Sequence, residues 1–272
     1  MRPATAEECR GLWPAVSADR AFDSAEQFFA YRDETPWKVR VSEKGSACIL
    51  GEWRSHLDVL AMRGMWCAER LVPAVCEDVY AVAREHGFAQ VLSPLLPTVL
   101  LDGYRRAGMQ PCQSIVAIQG IPSLLPSTRL HPDVSLAAAT TEDLDALADL
   151  DAACFDPFWR YGTLELTHLL RAERAVVART DSGELIGYTL ATVSRGAATL
   201  GRLAVSTETR RQGIGRTLVS DVASWAVSVG AQTLGLCTQE ENAASRALYA
   251  ACGLREIEDR YALAIGDVRD VT

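Results

Sequence analysis

The chain has 272 residues, of which 49% are hydrophobic and 23% are charged, a composition typical of one large or two moderate globular domains. The formal net charge of -8 argues against a nucleic-acid partner, because polyphosphate ligands favour a basic protein surface. No stretch approaches the ~18 uninterrupted apolar residues of a membrane span, and the first ten residues lack the apolar core of a secretory signal. We therefore expect neither a membrane segment nor export.

The cysteines and histidines lack the spacing of a metal site. The eight cysteines are scattered without a C-x-x-C pair, and the four histidines do not cluster with them. We therefore expect no metal cofactor. We interpret the cysteines as small core residues in a reducing cytosol, which predicts a cytoplasmic protein.

The first half of the sequence predicts an ordered series of elements. Residues 5–8 (TAEE) have the capping-box form of a helix start. Residues 37–50 (WKVRVSEKGSACIL) alternate apolar and polar side chains around a glycine turn, which predicts a hairpin. An apolar stripe over 71–82 predicts a long helix that ends at Gly87 and leads into a short strand.

The second half repeats this series in the same order. Residues 140–143 (TTED) are a looser capping box, and 175–193 predict a second hairpin around Gly183. An apolar stripe over 214–229 predicts a helix that ends at Gly230, followed again by a short strand. The repetition favours an internal duplication over coincidence.

The duplication predicts an α/β (α+β) fold of two tandem domains, each a mixed central sheet flanked by helices. Both halves end in the pattern Tyr-x-x-x-Gly-apolar, at Tyr104 and Tyr249. The segment between the halves holds three prolines and predicts a linker. The expected boundaries are 1–120 for the first domain, 121–132 for the linker and 133–272 for the second domain.

The halves differ at RRQGIGRTL, residues 210–218, which precedes the long helix of the second half only. A helix start has about four N–H groups without intrahelical partners and roughly half a positive charge. Gly213 and Gly215 let the backbone approach a ligand, and the three arginines add positive charge. The motif therefore favours binding of a phosphate group. Alone it is a weak signal, and a tight turn with solvated arginines is the alternative.

The surrounding sequence makes the motif more specific. RRQGIGRTL followed by TQEENAASRALYAACGL resembles the GCN5-related N-acetyltransferase (GNAT) superfamily, whose phosphate-loop pattern Gln/Arg-x-x-Gly-x-Gly/Ala is met by Arg210, Gly213 and Gly215. The family's later Asn-x-x-Ala/Ser-x-x-Leu-Tyr-x-x-x-Gly-Phe pattern is also met, with Leu254 replacing the phenylalanine. The resemblance is strong over 175–261. The first half has RGMWCAERLVP instead of the loop, so the resemblance implies a degenerate N-terminal copy.

The resemblance also implies how acetyl-CoA, the acyl donor, binds. It would enter a V-shaped gap where the parallel strands TLGRLAV and TLGLCT splay apart. The first of these strands would hold the pantetheine arm, and the glycine loop would hold the pyrophosphate. The residues implied to bind it are Leu203, Ala204, Val205, Arg210, Arg211, Gln212, Gly213, Ile214, Gly215, Arg216, Thr217, Asn242, Ser245 and Arg246.

The catalytic groups are less completely defined by sequence. Tyr249 matches the family's general acid, which protonates the departing thiolate. The alternative is a packing aromatic, since the first half keeps Tyr104 without the loop. The general base stays open between Glu240 or Glu241, Asp156 and a relayed water molecule.

The expected activity is acetyl-CoA-dependent transfer of an acyl group to a primary amine of a small molecule. One alternative is acetylation of a peptide N-terminus, because 153–160 (ACFDPFWR) is similar to the acceptor loop of ribosomal-protein N-terminal acetyltransferases. A second alternative is an acyl-CoA sensor without turnover. The apolar residues around Leu12, Trp13 and 22–29 leave a homodimer surface as a further interpretation.

Overall fold

Contacts within the chain define two compact units. The computed structural model describes residues 1–18, 22, 24–54, 56–126 and 132–270. The first unit comprises Met1–Ser114 together with the chain from Tyr261 onward, and the second comprises Ile115–Arg260.

This division differs from the expected domain boundaries at two places. Residues 115–120, assigned by sequence to the first domain, belong to the second unit. The chain from Tyr261, assigned to the second domain, belongs to the first unit. Residues 127–131 of the expected linker lie outside the described residues.

Among the residues that the structure describes, the first unit contains a mixed sheet and four α-helices. Its helices are α1 (Ala6–Ala18), α2 (Ala25–Glu34), α3 (Val72–Glu85) and α4 (Leu101–Arg106). Its strands are β1 (Arg2–Pro3), β2 (Val39–Val41), β3 (Ala47–Trp53), β4 (His56–Trp66), β5 (Gln90–Leu92) and β6 (Leu96–Pro97), with the first part of β7 (Gln110–Gly120) and the last part of β13 (Arg255–Asp267). The sheet order β1-β2-β3-β4-β5-β13 contains one parallel pair, β4 with β5.

The second unit has the same strand order. Its helices are α5 (Leu144–Cys154), α6 (Thr163–Leu169), α7 (Ile214–Ser228) and α8 (Ala243–Ala251). Its strands are β8 (Val134–Ala138), β9 (Arg174–Thr180), β10 (Leu185–Ser194), β11 (Ala197–Val205) and β12 (Thr233–Gln239), with the rest of β7 and β13. The order β8-β9-β10-β11-β12-β7 again contains one parallel pair, β11 with β12.

Local signals in the sequence are confirmed where they were strongest. Thr5 and Glu8 form a reciprocal capping box, since each backbone N–H donates to the other's side chain at 2.8 and 3.2 Å. Both hairpin turns place glycine in the left-handed region, with φ of 78° at Gly45 and 87° at Gly183. These backbone angles explain why glycine stands at both turns.

The sixth strand of each unit comes from the other half of the sequence. In the second unit, residues 115–120 of β7 pair antiparallel with 234–239 of β12. In the first unit, residues 265–267 of β13 pair antiparallel with 90–92 of β5. Each half of the chain therefore completes the sheet of the other unit.

The aromatic residues near the N-terminus pack within the first unit. Phe28 is fully buried, and its ring lies 6.2 Å from that of Trp13 and 5.2 Å from that of Phe22. Phe29 contacts it at 5.7 Å. This packing within one chain explains the aromatic pattern, and the homodimer surface stays untested.

The sheet of the second unit has an apolar cluster on each of its two faces. On one face, α7 and α8 cover a cluster that includes Val219, Val222 and Leu236. On the other face, α5 and α6 cover a cluster that includes Leu147, Leu166 and Ala204. The strands β11 and β12 run between these two layers.

Candidate active site

The parallel strands β11 and β12 separate after a short paired region. Their pairing runs only from Ala197 opposite Thr233 to Thr199 opposite Gly235. Beyond this point β11 continues against β10 and β12 continues against β7. Residues 200–205 therefore have backbone groups on one edge that no strand pairs, which leaves a gap lined by donors and acceptors. The predicted V-shaped gap is confirmed.

A β-bulge at Gly201 turns β11 at the start of this gap. Leu190 lies opposite Arg202 while Ala191 lies opposite Leu200, so Gly201 is an extra residue. Before the bulge, Leu200 packs in the cluster beneath α7. After it, Ala204 packs in the cluster beneath α5. One inserted residue thus exchanges the two faces of the strand, as the two-residue period requires.

The glycine loop forms the N-terminus of α7. Gly213 is the N-cap at a φ of 91°, and Arg211 is also left-handed at 63°. The first backbone bond into the helix is from the N–H of Thr217 to the carbonyl of Gly213, at 3.0 Å. The N–H groups of Ile214 through Arg216 therefore have no intrahelical acceptor. Together with the helix dipole they form a site suited to an anion.

Glycine stands at positions 213 and 215 of this loop for different structural reasons. A Cβ at Gly213 would meet nothing within 4 Å, so the space beside its backbone is open. A Cβ at Gly215 would lie 3.1 Å from Leu248 Cδ2, so this glycine permits close packing of α7 on α8. Only Gly213 leaves room for a ligand at its own position.

The predicted binding residues of α8 make local contacts. Asn242 caps the helix, because its Oδ1 accepts from the N–H of Ser245 at 3.1 Å. Arg246 donates to Glu256 at 2.6 Å and to the carbonyl of Glu240 at 2.8 Å. Arg246 therefore already has a carboxylate partner. Arg210 donates to the carbonyl of Val205 at 3.2 Å, which ties the loop to the end of β11.

Tyr249 lies in the apolar cluster beneath α7 and α8. Its side chain is 7% exposed, and burial raises the pKa of its phenol to about 12. The fully buried side-chain oxygens and nitrogens without a hydrogen-bond partner, among the described residues, are Tyr80 Oη and Thr189 Oγ1. The Tyr249 hydroxyl is not one of these atoms, and it makes no hydrogen bond with a described residue. A protonated phenol at such a position is suited to donate a proton.

The candidate bases are less specifically placed. Asp156 is exposed and caps the turn Pro157–Trp159, because its Oδ1 accepts from the N–H of Phe158 at 3.0 Å. Glu240 and Glu241 are exposed just beyond β12. Asp156 thus has a local capping contact, and the base stays a prediction among Asp156, the two glutamates and a relayed water molecule.

The sequence in this region matches a known family. The model of the acetyltransferase (GNAT) family matches residues 144–254. This range contains the gap, the glycine loop and Tyr249. Residues 144–254 are a GNAT domain. No curated protein matches the chain.

Solved structures are similar in fold over nearly the whole chain, whereas the family model matches only residues 144–254. A GCN5-related N-acetyltransferase from Sphaerobacter thermophilus is 17% identical, with a TM-score of 0.66 over 98% of this chain and 95% of that chain. A tandem GNAT protein from the clavulanic acid biosynthesis pathway, solved without AcCoA, is 16% identical, with a TM-score of 0.69 over 98% of both chains. The GCN5-related N-acetyltransferase from Kribbella flavida is 15% identical, with a TM-score of 0.61 over 84% of this chain and 88% of that chain. At these identities the likeness concerns fold alone.

In the first unit a parallel strand pair also separates after three residues, as in the GNAT domain. The side chains beside this gap differ from those of the GNAT domain. β4 and β5 pair only from Val59 to Ala61, and no glycine loop precedes α3. Four residues beyond the last pair, Met65 accepts a hydrogen bond from the Tyr104 hydroxyl at 3.9 Å. Tyr104 is thus satisfied by a sulfur of its own unit.

Sequence reasoning missed a buried polar network in the GNAT domain, formed by Asp151, Tyr188 and Arg202. Asp151 and Tyr188 are 0% exposed and Arg202 is 7% exposed. Two signals were available. Asp151 stands on the apolar face of α5, next to Leu150, and Arg202 interrupts the apolar strand TLGRLAV. Opposite charges at core positions predict a buried ion pair.

No group of three or more potential metal ligands is present among the residues that the structure describes. None of their helices is both long enough and apolar enough to cross a membrane. All eight cysteines are free thiols.

Proposed function

We propose that the chain is an acetyl-CoA-dependent N-acetyltransferase that transfers an acyl group to a primary amine of a small molecule. The observation that carries the proposal is the combination, in one GNAT domain, of a strand gap with free backbone groups, an open glycine-capped helix start and a protonated tyrosine. Together they would bind, respectively, the pantetheine arm, the pyrophosphate and the sulfur end of the donor. Residues 203–205 and the N–H groups of 214–216 are the principal binding groups.

The chemistry needs a direct attack by a neutral amine. The amine nitrogen forms a bond to the acyl carbon, the carbon–sulfur bond breaks, and the amine loses a proton to a base. Tyr249 donates its phenolic proton to the departing thiolate. A backbone N–H of β11 stabilises the negative charge that develops on the carbonyl oxygen. Glu240, Glu241 or an ordered water molecule accepts the amine proton.

We propose that only the GNAT domain binds the donor, so that the first unit is a degenerate copy. Three features of the first unit support this: no glycine loop precedes α3, Met65 satisfies Tyr104, and Trp66 folds back over its own strand. A Cβ at Gly64 would lie 2.6 Å from the Trp66 ring. The expected stoichiometry is one acetyl-CoA per chain. The free thiols fit a reducing compartment, which keeps the cytoplasmic location as a proposal.

Calorimetry with acetyl-CoA and mass-spectrometric detection of acetylated products test the proposal. The acceptor panel contains small primary amines and short peptides with free N-termini. Binding with acetylation of small amines supports it, and acetylation of the peptides alone favours the N-terminal acetyltransferase. Binding without transfer to any acceptor favours a sensor. Absence of binding refutes the proposal.

A further inference from the structure

The buried network is centred on the carboxylate of Asp151. Its Oδ2 accepts three hydrogen bonds, from the Tyr188 hydroxyl at 2.5 Å and from Nε and Nη2 of Arg202 at 2.8 and 2.6 Å. Its Oδ1 accepts from the backbone N–H of Tyr161 at 2.8 Å. One side chain of α5 thus connects β10, β11 and the chain that follows α5.

Arg202 binds the same chain segment from the other side. Its Nη2 donates to the carbonyl of Trp159 at 2.9 Å. Its guanidinium carbon lies 3.3 Å from the centre of the Phe155 ring and 4.3 Å from that of Tyr161. Residues 155–161, called here the aromatic segment, are therefore fixed to β11 by hydrogen bonds and by stacking on a planar cation.

The point of attachment lies at the gap. Arg202 is three residues beyond Thr199, the last residue of β11 that pairs with β12. The bulge at Gly201 turns it toward α5, away from the face that carries the glycine loop and Tyr249. The α7 face of β11 is filled by apolar side chains. An acceptor that approaches the gap from the opposite face therefore meets the aromatic segment.

The energetics favour a geometric role for this pair. Burial of two charges has a desolvation penalty that their attraction often fails to exceed, and apolar replacements of such pairs are often neutral or stabilising. Two guanidinium nitrogens that donate to one carboxylate oxygen do, however, hold the planar guanidinium in a fixed orientation. Stability alone therefore does not explain why both charges lie in this core.

We propose that Asp151 and Arg202 are positioning residues for the acceptor amine, which act by holding the aromatic segment as a wall of the acceptor site. The inference rests on the proposed acetyl transfer. Loosening the wall weakens acceptor binding and misplaces the amine, whereas donor binding at the glycine loop is unaffected.

The test replaces both charges at once, because a single replacement leaves an unpaired charge in the core. The variant is Asp151→Leu with Arg202→Met. The control, Asp221→Leu with Arg174→Met, removes another arginine–aspartate pair of the same domain, which joins β9 to α7. We expect the first variant to raise the acceptor KM about tenfold or more while the acetyl-CoA Kd changes less than about twofold. The control leaves both constants near wild type, and Arg202→Lys gives an intermediate acceptor KM.

Hydrogen exchange gives a readout that does not require turnover. Backbone amides of 155–161 exchange faster in the Asp151/Arg202 variant than in wild type, while those of α7 are unchanged. Unchanged exchange in a folded variant, or an unchanged acceptor KM, overturns the inference. A wild-type protein without acetyl-CoA binding or turnover refutes the proposed function instead, and the exchange result still decides whether the pair holds the segment.

Discussion

In the first unit the hydroxyl of Tyr104 donates a hydrogen bond to Met65 Sδ at 3.9 Å. The acceptor for this tyrosine is therefore a thioether of the same unit. Its counterpart in the GNAT domain, Tyr249, makes no recorded hydrogen bond with a described residue. In the proposed reaction, Tyr249 faces the sulfur of the donor. The two units thus place the tyrosine of the Tyr-x-x-x-Gly pattern in different chemical surroundings.

This difference predicts different effects of the tyrosine-to-phenylalanine substitution on kcat in the two units. Tyr249→Phe removes the acid, and kcat is expected to fall about 100-fold or more, with little change in the acetyl-CoA Kd. Tyr104→Phe, the matched control, leaves kcat near wild type. Steady-state kinetics and calorimetry measure both. Equal kcat for Tyr249→Phe and wild type would assign Tyr249 to packing alone.

The raised pKa of Tyr249 predicts the alkaline behaviour of the enzyme. Burial raises it to about 12, above the ~10 of an unfolded tyrosine, so folding favours the protonated phenol. This contribution to stability is complete below about pH 10 and is lost as the pH rises toward 12. The rate should rise with pH as the amine acceptor loses its proton. A fall below about pH 10 that disappears in Tyr249→Phe would contradict this pKa.

The open space beside Gly213 predicts a variant that separates binding from folding. Gly213→Ala introduces a Cβ at a left-handed position, which costs about 1 kcal/mol of stability, and directs it beside the proposed phosphate site. We expect acetyl-CoA affinity to fall at least tenfold. Gly183→Ala is the control, because it is equally left-handed, at 87°, and equally open, but lies in the β9–β10 turn. Equal affinities of the two variants would remove Gly213 from the site.

The close contact of Tyr80 with Gly266 of β13 predicts how substitutions at these two positions change the stability of the protein. A Cβ at Gly266 would overlap the Tyr80 hydroxyl, which is buried without a partner. Gly266→Ala is expected to destabilise the protein by about 1–3 kcal/mol, and Tyr80→Phe to stabilise it slightly. In the double variant the loss should be smaller than the sum of the two single effects, because the overlapping oxygen is absent. Thermal unfolding measures all three, and strict additivity would refute the overlap.

The second buried and unpartnered hydroxyl predicts a stabilising variant. Thr189 is 0% exposed on β10, and its Oγ1 has no hydrogen-bond partner among the described residues. Thr189→Val keeps the shape and removes the unpaired oxygen, so the free energy of unfolding should rise by about 1 kcal/mol. Thr199→Val, at an exposed position of β11, should change it by less than about 0.5 kcal/mol. A destabilised Thr189→Val would indicate a hydrogen bond at this hydroxyl.

The sequence by itself determined the local elements and the glycine loop at the start of α7. The turns at Gly45 and Gly183 and the start of α7 at Gly213 were predictable, because each depends on a left-handed backbone that glycine adopts at little cost. The hairpins were predictable for a related reason, since alternation of apolar and polar side chains is a property of neighbouring residues.

Only the tertiary structure decided which distant segments meet. Residues 115–120 pair with β12 and those from 261 lie in the first unit, although sequence assigned each to the other domain. Pairing between strands more than a hundred residues apart leaves no local pattern in the sequence. Any strand with a suitable apolar face could form the backbone hydrogen bonds of the same sheet edge. The sequence shows Asp151 and Arg202 as charges at core positions, but only the fold brings the two together, and a buried charge becomes favourable only through such a partner.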